Sequence, residues 1–218
     1  MTVNFRSSTA ELTESNIVKA NIMVQIAINQ ALKNPAPKFD RNKFKAAVKY
    51  ALTLTGEHLN FYPLIYKAFF DAGVNFIILP NLTGSKTNGA TKRIKNNIML
   101  LVNDRRLNAD TFWFTLFHEI GHIVHGDLGI TFDGKNCHAE DAADIFAENM
   151  LIPPDAYQKF LNEHRHTITV QSISHFANQI NRDPSIVLGR LLNDGLIDYR
   201  DGRFKTLQKK YKIYSKVN

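Results

Sequence analysis

The segment HEIGH at residues 118–122 constrains this 218-residue chain more than any other feature. In an α-helix, residues four positions apart lie on one face about one turn from each other, so His118 and His122 point the same way. Two such imidazoles can bind one divalent ion, and the Glu119 carboxylate lies beside them. The motif therefore predicts a helix over residues 110–125 that carries a metal site.

A catalytic zinc site needs a third protein ligand, and the acidic segment after the motif offers one. Glu140 and Asp144 are four residues apart and share one face of a second predicted helix. Glu140 can complete the metal site, while Asp144 can hold a ring N–H of a ligand histidine. His125, seven residues after His118, is a further candidate for contact with the site. The alternative for all of these residues is a polar helix face with incidental histidines and solvated carboxylates.

Periodicity and turn residues divide the rest of the chain into helices and short strands. Apolar residues at helical spacing predict the helices, and short apolar runs separated by turn residues predict the strands. The predicted helices are 13–33, 40–56, 60–72, 110–125, 139–151, 170–180 and 184–193, and the predicted strands are 74–79, 89–94 and 98–102. This order indicates an α+β fold with a small antiparallel sheet.

Four regions follow from these elements. We expect an N-terminal helical region at 1–55, a catalytic domain at 56–160, a helical module with helix-turn-helix proportions at 161–198, and a basic tail at 199–218. A basic tail and a helix-turn-helix together can bind DNA phosphates. The alternatives are a solvated tail and a helical hairpin that closes the core of the catalytic domain.

The composition narrows the class of protein. Hydrophobic residues make up 44% of the chain and charged residues 22%, as in ordinary globular domains. No apolar run reaches the roughly 20 residues that cross a bilayer, so we expect no membrane contact. The chain has a single cysteine, which cannot form an internal disulfide, and this fits a reducing compartment. We therefore expect a cytoplasmic protein.

Two segments, FWFTLFHEIGHIVHG at 112–126 and EDAADIFAENMLIPPDAY at 140–157, resemble the paired helices of the ImmA/IrrE family of zinc metallopeptidases. The resemblance implies a zincin-like fold in which the two histidines of the motif and Glu140 bind Zn²⁺. It also implies that Glu119 acts as the general base. Family members cleave cytoplasmic helix-turn-helix repressors at specific sites, so the resemblance implies a specific protein partner rather than general digestion.

The run PSIVLGRLLNDGLI at 184–197 is similar to the C-terminal part of longer proteins in which an XRE-type helix-turn-helix precedes such a domain. Those proteins are often grouped with HigA-like antitoxins, which implies a repressor or antitoxin-like partner. Two rival hypotheses follow: a DNA-binding regulator, and a zinc-binding subunit that sequesters a toxin without cleaving it. The strand at 89–94 is predicted to be either a middle or an edge strand of the sheet. For a peptidase, an edge strand there could bind extended substrate by strand addition.

Overall fold

The structure is a computed structural model that describes residues 5–6, 13–103, 108–132, 138–164 and 167–211. Its helices and strands form an α+β fold, which confirms the predicted class. The helices are α1 (Glu14–Lys33), α2 (Arg41–Thr53), α3 (Phe61–Asp71), α4 (Ala109–His125), α5 (His138–Leu151), α6 (Pro154–His164), α7 (Val170–Gln179) and α8 (Pro184–Asn193), followed by a 3-10 helix at Gly202–Leu207. The strands are β1 (Phe5–Arg6), β2 (Val74–Leu79), β3 (Thr87–Ile94), β4 (Asn97–Asn103) and β5 (Ile130–Phe132). Among these residues, no helix combines the length and apolar character needed to cross a membrane.

Helix bounds follow signals that the sequence carries locally. Asp40 caps α2 by accepting hydrogen bonds from the backbone N–H groups of Asn42 and Lys43, at 2.9 and 3.0 Å. Helix α6 is absent from the prediction because Pro153-Pro154 is typical of a helix end. Pro154 is instead the first residue of α6, where a missing N–H costs nothing because first-turn N–H groups have no helical partner. The same two prolines therefore end α5 and begin α6.

The strands form one mixed sheet in the order β1-β5-β3-β4-β2. Strands β3 and β4 are antiparallel neighbours joined by a tight turn, in which Lys95 has a φ of 54°. Strand β2 runs parallel to β4, from the pair Val74–Ile98 to the pair Leu79–Asn103. The prediction of an antiparallel sheet is therefore wrong for this pair. The reason is that segment 80–86 crosses over to β3, so that β4 returns between β3 and β2.

Strand β4 is buried along its whole length, with an apolar cluster on each face of the sheet. Met99 and Leu101 pack with α1 on one side of the sheet. Ile98, Leu100 and Val102 face a larger hydrophobic core on the other side, which α4 shares. Helix α4 lies directly against β3 and β4, so the sheet supports the helix that carries the HEIGH segment.

Helices α7 and α8 share the hydrophobic core of α4 rather than forming a separate one. Phe176 of α7 and Val187 and Leu191 of α8 are buried in the cluster that includes Trp113 of α4. Helix α8 also packs along α4. Helices α7 and α8 thus form a helical hairpin that closes the core. The division of the chain into regions that end at residues 55, 160 and 198 stays a prediction.

Candidate metal centre

Helix α4 brings the two histidines of the motif together inside the protein. His118 is 3% exposed and His122 is 1% exposed, because the helix is packed between the sheet and α5. Their Nε2 atoms lie 3.0 Å apart. The i, i+4 spacing thus produces the paired imidazoles that the sequence predicts, and burial removes the alternative of two incidental surface histidines.

Helix α5 supplies the third group. Glu140 is 4% exposed, with Oε2 at 3.2 Å from Nε2 of His118 and Oε1 at 3.4 Å from Nε2 of His122. The two helices come this close because Gly121 has no side chain. A Cβ atom at that position would lie 3.1 Å from the Cα atom of Ala143 on α5. The glycine inside the motif therefore sets the distance between the carboxylate and the histidines.

The electrostatics of the group favour an ionised carboxylate. Burial by itself raises the pKa of Glu140, because a charged group loses solvation in the interior. Hydrogen bonds and charge from His118 and His122 outweigh burial, so the pKa of Glu140 lies below its usual range. Glu140 is thus an ionised carboxylate that faces the ring nitrogens of His118 and His122.

The donor set fits a single metal ion. The ligand atoms of His118, His122 and Glu140 all lie within 4.8 Å of one another. A tetrahedral ion with bonds of about 2.0–2.1 Å spaces its ligand atoms about 3.3 Å apart. The observed separations of 3.0, 3.2 and 3.4 Å agree with that spacing. Nitrogen donors with one carboxylate are also the ligand types that Zn²⁺ prefers.

Asp144 lies where the sequence predicts it, beside a ligand histidine. Its Oδ1 is 2.7 Å from Nδ1 of His118, and one turn of α5 separates it from Glu140. An ionised carboxylate can only accept, so Nδ1 of His118 carries the proton and donates it. The lone pair of the same ring is then on Nε2, which points at the metal group.

The turn after α4 places a second carboxylate, that of Asp127, beside a ligand histidine. The sequence motifs do not predict this residue. Gly126 has a φ of 80°, a left-handed conformation that ends the helix. The turn directs the N–H of Asp127 to the carbonyl of His122 at 2.9 Å. It also brings Oδ2 of Asp127 to 3.8 Å from Nδ1 of His122, just beyond hydrogen-bond length. The helix-ending glycine was the available signal, since such a turn folds the next residue back over the last turn.

His125 is not part of this group. It is exposed at the end of α4, and its ring lies edge-on to Phe146 with the centroids 6.0 Å apart. Among the described residues, the cluster able to hold a metal contains His118, His122 and Glu140 without it. The structure shows His125 in contact with Phe146, and its contact with the site stays a prediction.

Glu119 follows His118 directly, about 100° around α4, and lies against strand β3 of the sheet. It is fully buried, and a Cβ atom at Gly89 of β3 would lie 2.5 Å from its Oε1. Only a glycine lets the carboxylate rest on the strand at this distance. Gly89 also pairs with Val102 of β4 and with Thr131 of β5, so both neighbouring strands hold it in place. Of the two predicted alternatives, the middle strand holds at Gly89 and Ala90, because β5 covers the side that a substrate strand would need.

A buried pair of histidines on one helix, completed by a carboxylate from the next helix, defines a metallopeptidase-type centre. Comparison with protein families agrees: the model described as the IrrE N-terminal-like domain, Peptidase_M78, matches residues 71–181. The chain belongs to this family of metal-dependent peptidases. The matched range contains the three candidate ligands and Glu119, and it confirms the resemblance derived from the two helices. No curated protein matches the chain.

Proposed function

We propose that the protein is a zinc-dependent endopeptidase that cleaves a regulatory protein of the cytoplasm at specific sites. The observation that carries the proposal is the buried group of His118, His122 and Glu140, with ligand atoms within 4.8 Å of one another. Glu119 adds a fully buried carboxylate next in sequence to the first ligand. A purely structural metal site needs no such carboxylate, so the combination favours hydrolysis.

Zinc is the metal that the donor types favour. His118 and His122 would offer imidazole nitrogen and Glu140 would offer carboxylate oxygen, the number and types of protein donor that a catalytic zinc uses. Mn²⁺ accepts the same donors and can replace zinc in such a site. A bound zinc ion supplies Lewis-acid polarisation of the scissile carbonyl and makes water more acidic.

Each residue of the centre has a distinct task in this proposal. His118, His122 and Glu140 hold the ion, and Asp144 keeps the His118 ring in the tautomer that presents Nε2. Glu119 takes a proton from the attacking water on its carboxylate and delivers that proton to the leaving amine nitrogen. The close contact with Gly89 fixes where this carboxylate sits.

The first test measures metal content and turnover separately. The purified protein should contain about one zinc per chain, as expected for one three-ligand site. His122→Ala should lose the zinc, and Glu119→Gln should retain it. The zinc-loaded parent and Glu119→Gln are then each added to a cell lysate, and new protein N-termini are labelled and identified. We expect a small set of new N-termini with the parent alone. Identical sets for the parent and the variant would contradict the assignment of Glu119 and the proposed hydrolysis.

For the substrate, we propose a helix-turn-helix repressor or an antitoxin-like protein, in line with the family resemblance. The proteins that gain N-termini in the lysate identify the substrate directly. The alternative is a regulator that binds DNA or sequesters a toxin and has little peptidase activity. Under that alternative, the Glu119→Gln variant would act as the parent does, and the protein would form a stoichiometric complex without cleavage.

A further inference from the structure

A pocket of about 520 Å³ lies between β3, α4, α5 and α8. Asn88 of β3, Phe114 and Thr115 of α4, Glu148 of α5 and Ile186 of α8 belong to its lining. Its volume falls within the range of about 300–1,000 Å³ that is usual for ligand sites. The function proposed above gives the pocket no role, although four elements of the fold build it.

The pocket continues the line of contact between α4 and α5 that forms the metal centre. On α4, Phe114 precedes His118 by one turn, and the centroids of their rings are 6.3 Å apart. On α5, Glu148 follows Asp144 by one turn, and Asp144 lies 2.7 Å from Nδ1 of His118. Phe114 and Glu148 both line the pocket, which therefore begins one helical turn, about 5.4 Å, from a ligand histidine.

The pocket also adjoins the proposed general base. Thr115, a lining residue, precedes Glu119 by one turn of α4. Asn88 directly precedes Gly89, on which the Glu119 carboxylate rests. Because the pocket lies next to both the ligand histidine and the base, it can receive a side chain adjacent to the scissile bond.

Helix α8 forms a further wall, and a glycine permits its approach. A Cβ atom at Gly189 would lie 2.7 Å from the Cβ and Oδ2 atoms of Asp110 in the first turn of α4. Ile186 of the same helix is 4% exposed and lines the pocket. The helical hairpin of α7 and α8 thus contributes a wall beside the metal centre.

The charged side chains at the pocket are bound to other groups of the protein. Arg190 places Nη1 at 2.9 Å from Glu148 and Nε at 2.9 Å from both carboxylate oxygens of Asp194. Asp194 lies outside the lining and also accepts a hydrogen bond from the Tyr157 hydroxyl at 2.8 Å. Asp110, the other carboxylate of the lining, is engaged as well. The charged groups of the lining therefore all have partners already.

The rest of the lining is uncharged. Leu151 and Ile152, where α5 ends, and Ile186 of α8 belong to the main hydrophobic core, and Phe114 packs against it. Their positions are fixed by that core, so the pocket presents rigid apolar surface. Binding an apolar side chain there removes apolar surface from water on both partners.

From this lining we infer that the pocket is a specificity subsite for a large uncharged side chain, such as that of leucine, methionine or phenylalanine, next to the scissile bond. A charged side chain would lose hydration in the pocket without gaining a partner, because the charged groups there are bound to one another. The inference rests on the proposed function, because it needs a substrate held at the metal.

The test uses hydroxamates, which bind a metal ion and can carry one chosen side chain. N-acetylated amino-acid hydroxamates carry the side chain before the metal-binding group in the order of a peptide, and 2-substituted succinyl hydroxamates carry it after that group. Each scaffold is made with the side chains of glycine, norleucine, arginine and glutamate. These ligands and acetohydroxamate are titrated into the zinc-loaded full chain by calorimetry.

Norleucine should bind more tightly than glycine on one of the two scaffolds. A buried methylene is worth about fourfold in affinity, so we expect a ratio of about 10- to 100-fold. Arginine has the same aliphatic stem with a charge at its end, and on that scaffold arginine and glutamate should both bind more weakly than norleucine.

Two variants that fill the pocket locate this preference. Thr111→Phe on α4 and Asn193→Phe on α8 add a ring at lining positions and should each reduce the ratio of norleucine to glycine affinity. Both should leave acetohydroxamate binding as it is in the parent. Thr53→Phe adds the same ring at an exposed position of α2 outside the lining and is the matched control. Thermal unfolding of each variant checks that the fold is retained.

A third variant tests whether paired charges set the selectivity. Arg190→Met removes the cation that lies 2.9 Å from Glu148 and leaves that carboxylate unpaired at the pocket. The ratio of norleucine to arginine affinity should therefore fall. Lys67→Met breaks an exposed ion pair with Asp71 on α3 and should leave the ratio unchanged.

The outcomes separate this inference from the proposed function. Equal affinity for the glycine and norleucine ligands on both scaffolds, or tighter binding of arginine than of norleucine, overturns the subsite and leaves the metal centre standing. A norleucine preference that persists in both filling variants, or a norleucine-to-arginine ratio unchanged in Arg190→Met, overturns it as well. Failure of every hydroxamate, acetohydroxamate included, to bind the zinc-loaded protein overturns the proposed function and the subsite together.

Discussion

The two flanks of α4 hold their functional groups in different ways. On the flank facing α5, His118 and His122 are fixed by charges and hydrogen bonds to Glu140 and Asp144. On the flank facing β3, Glu119 is fixed by close packing on the bare backbone of a glycine. Because the metal ligands contact α5 and the Glu119 carboxylate contacts β3, we expect that metal binding and proton transfer can be disrupted independently.

The largest expected effect is loss of the metal when the α5 flank loses its carboxylate. Glu140→Ala removes one of three donors and the only anion among them, so zinc affinity should fall by more than the about 10- to 100-fold that a supporting carboxylate is worth. Competition with a chromophoric chelator measures the affinity. Glu163→Ala removes an exposed carboxylate of α6 and serves as the control. Parent-like affinity in Glu140→Ala would show that Glu140 is not a ligand.

A smaller loss is expected from the residue that orients a ligand. Asp144→Ala leaves Nδ1 of His118 without its acceptor at 2.7 Å, so zinc affinity should fall by about 10- to 100-fold. Asp144→Asn keeps a carbonyl oxygen that can accept the same proton and should lose less. Asp141→Ala, an exposed position on the same helix, is the matched control. Equal affinities for the Asp144 and Asp141 variants would exclude the orienting role.

The difference between the flanks also marks what a sequence can predict. The α5 flank follows from residues four apart on two helices, so His118, His122, Glu140 and Asp144 all lie where their spacing places them. The β3 flank depends on a contact between residues thirty positions apart, and helical periodicity carries no information about it. In the sequence, nothing distinguishes Gly89 from other glycines of turns and strands, because its contact with Glu119 forms only in the folded protein.

The sheet illustrates the same limit. The apolar runs that became β2 and β4 are readable, but nothing in them states that β4 lies between β2 and β3. Strand β5 is short and follows a helix end, so it has too few residues for an alternating pattern. Its pairing with β3 covers Gly89 and Ala90, at the start of the strand where strand addition was expected. Local sequence pattern could not predict this pairing, because its partners are about forty residues apart.

A substitution that disrupts only the contact between β3 and Glu119 should lower the free energy of unfolding without loss of zinc. Gly89→Ala places a Cβ against Oε1, Cγ and Cδ of Glu119, so the free energy of unfolding should drop by about 1–3 kcal/mol, as for other overpacked sites. In a Glu119→Ala background those atoms are absent, and the cost of the same change should shrink. Denaturant unfolding of the parent, the two single variants and the double variant gives the coupling energy.

Gly56→Ala is the control for this cycle, because nothing lies within 4 Å of a Cβ at that position and no positive φ is involved. Zinc affinity of Gly89→Ala should match the parent, in contrast with the α5 variants. A cost that is the same with and without the Glu119 side chain would mean that Gly89 serves the strand alone. Loss of zinc in Gly89→Ala would show that the two flanks are not independent.

The smallest expected effect lies at the end of the metal flank, where Gly126 turns Asp127 toward His122. Gly126→Ala puts a Cβ into the left-handed region at φ 80°, which costs about 1 kcal/mol of stability. Asn tolerates that conformation better, so Gly126→Asn should cost less. Thermal unfolding measures both, with Gly202→Ala, at an open position, as the control.

The zinc affinity of Gly126→Ala should fall less than that of Asp144→Ala. The reason is that Asp127 lies 3.8 Å from His122, whereas Asp144 lies 2.7 Å from His118. Equal losses of zinc affinity in Gly126→Ala and Asp144→Ala would mean that Asp127 and Asp144 orient their histidines equally well, despite the difference in distance.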